Sequence, residues 1–187
     1  TNESQVNSAS NIQSRNFIDY NFEGEDYDYI ILSHNRLIDD SNGYVQAYAD
    51  YRSSAVGGGF DPIIVDAAEL YDQFAYGVER HELGIKNFLQ LAYEEWNSEF
   101  LFLLGKGVSR IKVREGNYNP DFDLVPTYGY PNSDYLFATF DDSSVPSMAV
   151  GRIAAYTPEH VRIYLKKIQE HEAVFLDAEQ TLEDKEW

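Results

Sequence analysis

The sequence has no cysteine among its 187 residues. It can therefore build no disulfide framework, no thiolate metal site and no thiol nucleophile. Basic residues are also scarce. Fourteen Lys and Arg stand against 32 Asp and Glu, giving a formal net charge of −18. So acidic a surface repels phosphate backbones and argues against nucleic-acid binding, while favouring solubility and attracting divalent cations or basic partners. Long apolar runs are missing too. No stretch approaches the roughly 18 residues that a membrane-spanning helix requires. The chain opens at Thr1 without a basic and apolar leader, as a processed or excised chain would.

Aromatic residues are abundant, with 15 Tyr, 11 Phe and 2 Trp in a chain that is 43% hydrophobic. That is enough to fill the core of one domain. Residues 1–26 are rich in Asn, Ser, Gln, Asp and Glu and read as a polar lead-in or linker. The region 27–187 carries the periodic segments.

Four short apolar runs read as buried strands: Tyr27 to Ser33, Pro62 to Asp66, Phe100 to Gly105 and Met148 to Ile153. Helical spacing appears between them. Tyr44, Ala47, Tyr48, Tyr51 and Ala55 form one stripe, ended by Gly57-Gly58-Gly59. Ala67 to Tyr76 fits a short helix or a loop. Ile85, Phe88, Leu89, Ala92 and Trp96 form a clean apolar stripe. Thr157-Pro158-Glu159 is a strong helix start: a capping hydroxyl, a proline at the first helical position and an acid in the first turn. Lys106 to about Pro146 reads as a long irregular stretch.

Alternating strands and helices with crossovers of this length force parallel pairing. The expectation is an α/β domain of three layers, Rossmann- or flavodoxin-like. It would have a mostly parallel sheet of about four strands and helices on both faces. In such sheets ligands meet the loops beyond the carboxyl ends of the strands.

Each candidate motif has a plain structural reading beside it. Gly105-Lys106-Gly107 follows a strand, but Arg110 stands where a dinucleotide fingerprint needs its third glycine, and no amphipathic helix is expected there. A tight turn is the better reading. His81-Glu82 and His171-Glu172 lack a second histidine four residues on, where Ile85 and Phe175 stand, so neither builds a zinc helix. Surface or capping roles are the default for the four histidines. His34, at the end of the first strand with Asp39 and Asp40 close behind, is the one candidate for a catalytic base. No serine sits in a Gly-x-Ser-x-Gly elbow.

Asp141 and Asp142, before Ser143-Ser144, are candidate ligands for calcium, a hard cation that prefers oxygen donors. The structural alternative is a turn or an exposed pair. The Tyr128 to Tyr135 stretch suits packing of a long loop over the sheet, or a binding surface. Arg152 follows Gly151 on a strand and needs a carboxylate partner, for which Asp134, Asp141 and Asp142 are the candidates.

Several segments in order resemble the start of the catalytic domain of a gingipain-family cysteine peptidase. They are Asp28 to Ser33, Tyr71-Asp72-Gln73-Phe74 with Gly77, Ile85 to Leu89 and Phe102 to Gly107. Val125 to Tyr128, Ala149 to Arg152 and the helix with His171-Glu172 continue the pattern. The likeness covers about residues 27–187 and is similar in particular to the type IX secretion signal peptidase-like members from Bacteroidetes.

The resemblance implies a caspase-like enzyme whose nucleophilic cysteine, histidine and supporting acid lie in a second subdomain. This chain would be the smaller, amino-terminal subdomain, inactive alone. Its partners would be the carboxyl-terminal catalytic subdomain and, in the parent, a protein or peptide substrate. The location would be extracellular or at the cell surface. The resemblance also implies a calcium loop near Asp141 and Asp142, with no cofactor required, and an acid in the family where this chain has Lys106. Two other readings remain open: a stand-alone binding or scaffold module, and a small-molecule enzyme using His34 with Asp39 or Asp40.

Overall fold

The structure, a computed structural model, describes residues 14, 16–20, 22–116, 118–140 and 144–176. Its four strands are β1 (Tyr29–Ser33), β2 (Pro62–Asp66), β3 (Phe100–Leu104) and β4 (Ala149–Ile153). They form one sheet in the order β2-β1-β3-β4. Every pairing is parallel, with Tyr29 beside Pro62 and Phe100, and Phe100 beside Ala149. The central strands β1 and β3 are buried on both faces, which is why their sequences are unbroken apolar runs.

Among the described residues six helices accompany the strands: α1 (Asn35–Ile38), α2 (Tyr44–Ser53), α3 (Ala67–Phe74), α4 (Glu82–Trp96), α5 (Arg110–Arg114) and α6 (Pro158–Leu176). Side-chain alternation along the strands divides the core in two. Ile30, Leu32, Leu101 and Leu103 face α3 and α4, packing with Leu70, Ile85 and Phe88. Tyr29, Ile31, Phe102 and Leu104 face the other way, onto Val45 and Tyr48 of α2 and Val161 and Leu165 of α6. The fold is thus three layers, as the sequence pattern implies.

Three local differences from the sequence reading have physical causes. The segment after β1, where the sequence pattern shows no helical stripe, turns one short helix, α1, whose start the His34 side chain caps. The region Lys106 to Pro146 contains α5 and two 3₁₀ turns, Pro120–Phe122 and Asp134–Ala138. These are single turns too short to show a period. Tyr20 and Phe22, in the polar lead-in, pack against the core. Tyr20 lies 4.9 Å from the Phe88 ring and Phe22 stacks on Trp96 at 4.5 Å.

On the α2 and α6 face a polar chain runs inward from the surface. Glu172 accepts from Tyr51 Oη at 2.6 Å and from Arg52 Nη1 at 3.0 Å. Arg52 Nε donates to Tyr48 Oη, which pairs with Tyr29 Oη at 2.8 Å. Burial holds the Tyr48 phenol well above its ordinary pKa, so it remains a neutral hydrogen-bonding group.

Helices α3 and α4 approach closely at Gly84. A Cβ there would meet Leu70 O at 2.8 Å and the Ala75 Cβ at 2.9 Å. Gly84→Val is expected to lower stability by about 2 kcal/mol through overpacking against backbone. Urea denaturation followed by circular dichroism checks this.

Candidate functional site

The loops beyond the carboxyl ends of the strands are set by caps and by one arginine. After β1, His34 Nδ1 accepts the Arg36 backbone N–H at 3.1 Å. After β2, the Asp66 carboxylate accepts the Ala68 N–H at 3.0 Å. His81 caps α4 in the same way, taking the Leu83 N–H at 3.2 Å. Two of the four histidines are therefore helix caps, the default role for them in the sequence.

Gly105-Lys106-Gly107 is a turn across which the 124–126 segment is drawn tightly. The Leu124 and Val125 N–H groups both donate to Lys106 O, at 2.8 and 3.1 Å. A Cβ at Gly105 would lie 2.6 Å from Val125 Cγ2, and one at Gly107 would lie 2.7 Å from Val125 O. Close chain approach, not phosphate binding, requires these glycines. A helix does open nearby, contrary to the sequence expectation. However, α5 has only five residues and its Ser109 side chain makes no capping bond. The Lys106 ammonium sits over the Phe122 ring, 4.7 Å from its centroid, and 5.4 Å from that of Tyr156.

Arg152 fastens this end of the sheet. Its Nε and Nη2 grip Asp134 at 2.6 and 2.9 Å. Its Nη1 donates to the carbonyls of Gly105 and Val125, and Nη2 also reaches Pro126 O at 3.0 Å. One guanidinium thus joins β4, the end of β3, the 124–126 segment and the second 3₁₀ turn. Asp134 is the partner among the three carboxylates the sequence offered.

Beside the end of β1, between α3 and the segment carrying Asp123, lies a cleft of about 250 Å³ lined by His34, Tyr71, Asp72, Arg80, Asp123 and Leu124, among others. Asp123 is buried, 4% exposed, and one oxygen accepts the Val108 N–H at 2.9 Å. Arg80 holds a left-handed backbone, φ 56°, unusual for a residue with a side chain. Such a conformation costs about 1–3 kcal/mol and persists only where surrounding structure enforces it. Its Nη2 donates to Pro120 O at 3.3 Å. Tyr71 is 6% exposed, and burial first, then the Asp123 charge, raises its pKa, so the phenol stays protonated.

Burial lowers the His34 pKa below 6.5, aided by Arg36 and Arg80 and opposed by Asp66. A lowered folded-state pKa means the unfolded chain takes the proton first on acidification. The stability His34 contributes is present above its unfolded pKa and is lost as pH falls through the folded one. His34→Asn keeps a capping oxygen and cannot titrate. Between about pH 7.5 and 5.5, the melting temperature of the wild type should fall more than that of the variant.

The capping bond also bears on His34 as a base. Nδ1 is the acceptor, which places the proton on Nε2, leaving a donor rather than a base on the free nitrogen. Asp39 and Asp40 do not line the cleft that His34 lines. Asp40 instead accepts the Asn42 N–H at 3.0 Å in a turn leading into α2. The structure does not assemble the His34, Asp39 and Asp40 trio.

Asp141 and Asp142 lie outside the described residues. Among the described residues, no group of three or more His, Asp or Glu is placed to hold a metal ion. No helix among them is long and apolar enough to cross a membrane. The tyrosine-rich stretch divides its roles. Tyr128 packs edge-on against Phe137 at 5.4 Å with the Lys86 ammonium over its face, whereas Tyr130 is 78% exposed. Tyr71 and Arg80 were not legible as a pair, because only the α3–α4 crossover carries them to the end of the sheet.

The sequence matches the description of peptidase family C25 over residues 22–186. The chain belongs to that family. No curated protein matches it. Among solved structures, the crystal structure of dimeric latent PorU from Porphyromonas gingivalis aligns with a TM-score of 0.59 and 21% sequence identity. The alignment covers 78% of this chain and 16% of the PorU chain, so this chain spans a small part of that protein. At that identity the likeness establishes the fold: the three-layer, gingipain-type α/β arrangement described above. Within this C25 chain the family's cysteine chemistry has no nucleophile, since none of the 187 residues is a cysteine.

Proposed function

We infer that the chain is the non-catalytic amino-terminal subdomain of a gingipain-like cysteine endopeptidase, extending over residues 27–187 behind a polar lead-in, and that it buttresses the catalytic subdomain. The observation that carries this reading is a C25 match over residues 22–186 in a chain without a cysteine. A complete member of the family would need its thiolate and proton-shuttling histidine on other segments. The exposed edge strand β4, with Ala149 and Gly151 open to solvent, supports it by offering a surface for a neighbouring domain. Arg152 locks that same strand to the loops behind it, which keeps the edge rigid.

The parent would act on protein or peptide substrates outside the cell or at its surface. The Asp141–Asp142 pair is its proposed calcium site. Calcium bound only to the folded state raises the melting temperature, so a rise that disappears in Asp141→Asn with Asp142→Asn checks the assignment. The decisive test of the subdomain reading is the coding sequence downstream of Trp187. A His-Gly pair and a later cysteine are expected within about one further domain, roughly 100–200 residues. If neither is there, the stand-alone scaffold reading replaces this one.

A further inference from the structure

The charge of the chain is inverted over one short segment. Four of its 14 Lys and Arg fall within residues 106–114, as Lys106, Arg110, Lys112 and Arg114, and none of its 32 Asp and Glu does. Protein surfaces ordinarily intersperse the two signs, and a block of like charge repels itself. The cations here also go unanswered. Arg52, Arg152, Arg162 and Lys166 each pair with a carboxylate. Among the described residues Lys106, Lys112 and Arg114 pair with none. The Lys106 ammonium rests instead on the Phe122 and Tyr156 rings. The segment follows directly on β3, at the end of an open parallel sheet where ligands are received.

The shape of the segment selects the kind of anion. Lys106 and Lys112 line a cavity of about 220 Å³ with Ser109, Asn119 and Phe122, and no acidic residue lines it. Ile111 and Arg114, from the same helix, line a separate cavity of about 540 Å³, where Glu82 and Glu115 bring the basic surface to an end. Large apolar side chains stand exposed among these cations: Ile111 on α5, Phe122 in the first 3₁₀ turn, and Tyr156. A single inorganic anion occupies one cavity only and uses none of this apolar surface. A nucleic acid or an anionic membrane extends beyond the segment and meets the acidic remainder of the surface within a Debye length. A short peptide meets neither objection. Carboxylates at its two ends answer cations in both cavities, and apolar residues between them cover Ile111 and Phe122.

We propose that the 106–114 segment is a docking surface for a short acidic peptide segment of another protein. Its carboxylates lie against Lys106, Lys112 and Arg114, and its apolar residues lie on Ile111 and Phe122. The surface belongs entirely to this chain, so its test does not depend on the subdomain reading.

Fluorescence anisotropy with the 187-residue chain tests it. The probe is the labelled peptide Glu-Asp-Leu-Phe-Asp-Glu. Its amide twin Gln-Asn-Leu-Phe-Asn-Gln removes the charge, and Glu-Asp-Ser-Ser-Asp-Glu removes the apolar centre. The probe is expected to bind saturably, the amide twin at least about tenfold more weakly and the serine peptide at least about threefold more weakly. Lys112→Glu with Arg114→Glu should weaken the probe about tenfold or more, and both side chains are exposed, so folding is not at stake. Lys166→Glu with Lys167→Glu makes the same change of net charge on α6. At physiological ionic strength it should leave binding within about twofold. The proposal is overturned if the probe does not bind, if either altered peptide binds as well, or if the two double variants weaken it alike. It is equally overturned if inorganic phosphate, single-stranded DNA or phosphatidylserine vesicles bind more tightly than the probe. A chain that sediments as a dimer, dissociated by Lys112→Glu with Arg114→Glu, would overturn it in favour of a second copy as the occupant.

Discussion

Replacing Arg152 with leucine is expected to be among the most damaging single substitutions in the chain, lowering stability by about 3–5 kcal/mol. The side chain is 13% exposed, and its partner Asp134 is 27% exposed. Leucine would leave the Asp134 carboxylate without its counter-charge. It would also strip the carbonyls of Gly105, Val125 and Pro126 of a shared charged donor. Breaking one partner of such a pair is far more harmful than its net contribution suggests, because the other charge remains in place without compensation. A chain of this size loses about 2–4 °C of melting temperature per kcal/mol, so a fall of roughly 10 °C is expected. Asp134→Leu should also destabilise, but the double variant should be less damaged than the sum of the two. Such a cycle isolates the pair from the carbonyl contacts, with a coupling of about 1–3 kcal/mol. Strict additivity would mean that Arg152 acts only through the carbonyls.

Phe88→Ala is expected to cost about 3–5 kcal/mol as well, by a different route. Phe88 is fully buried on α4. Its ring lies 4.9 Å from Tyr20, 6.0 Å from Phe22, 5.5 Å from Phe74 and 5.9 Å from Trp96. Truncation removes the centre of this cluster and leaves a cavity that a helix pinned against α3 at Gly84 closes poorly. Because Tyr20 and Phe22 rest on the same cluster, the variant should also expose the segment before β1 to proteases well below the melting temperature. Equal proteolysis of wild type and variant at the Tyr20 to Phe22 segment would separate that segment from the core.

Strands and long helices were legible because their burial is written in their periods. Phe100 to Leu104 is apolar on both faces because two helical layers cover it, and Ile85 to Trp96 is striped because one face is covered. Arg152 was legible as a residue in need of a carboxylate, since a half-buried guanidinium on a strand allows few alternatives. What stayed hidden depends on contacts distant in sequence. The Tyr71–Arg80 cleft forms only when the α3–α4 crossover meets the loop carrying Asp123. Tyr20 and Phe22 sit in a polar run whose composition conceals two anchoring rings.

The missing thiol leaves these 187 residues of a C25 family member without a cysteine nucleophile, so the chain alone is expected to hydrolyse no peptide. Peptide hydrolysis by this chain and by the longer cysteine endopeptidase proposed above as its parent, each before and after thiol alkylation, tests that claim most directly. The expected result is no hydrolysis by the chain under any condition, and hydrolysis by the parent that alkylation abolishes. Hydrolysis by the chain alone, or parent activity that survives alkylation, would contradict the account.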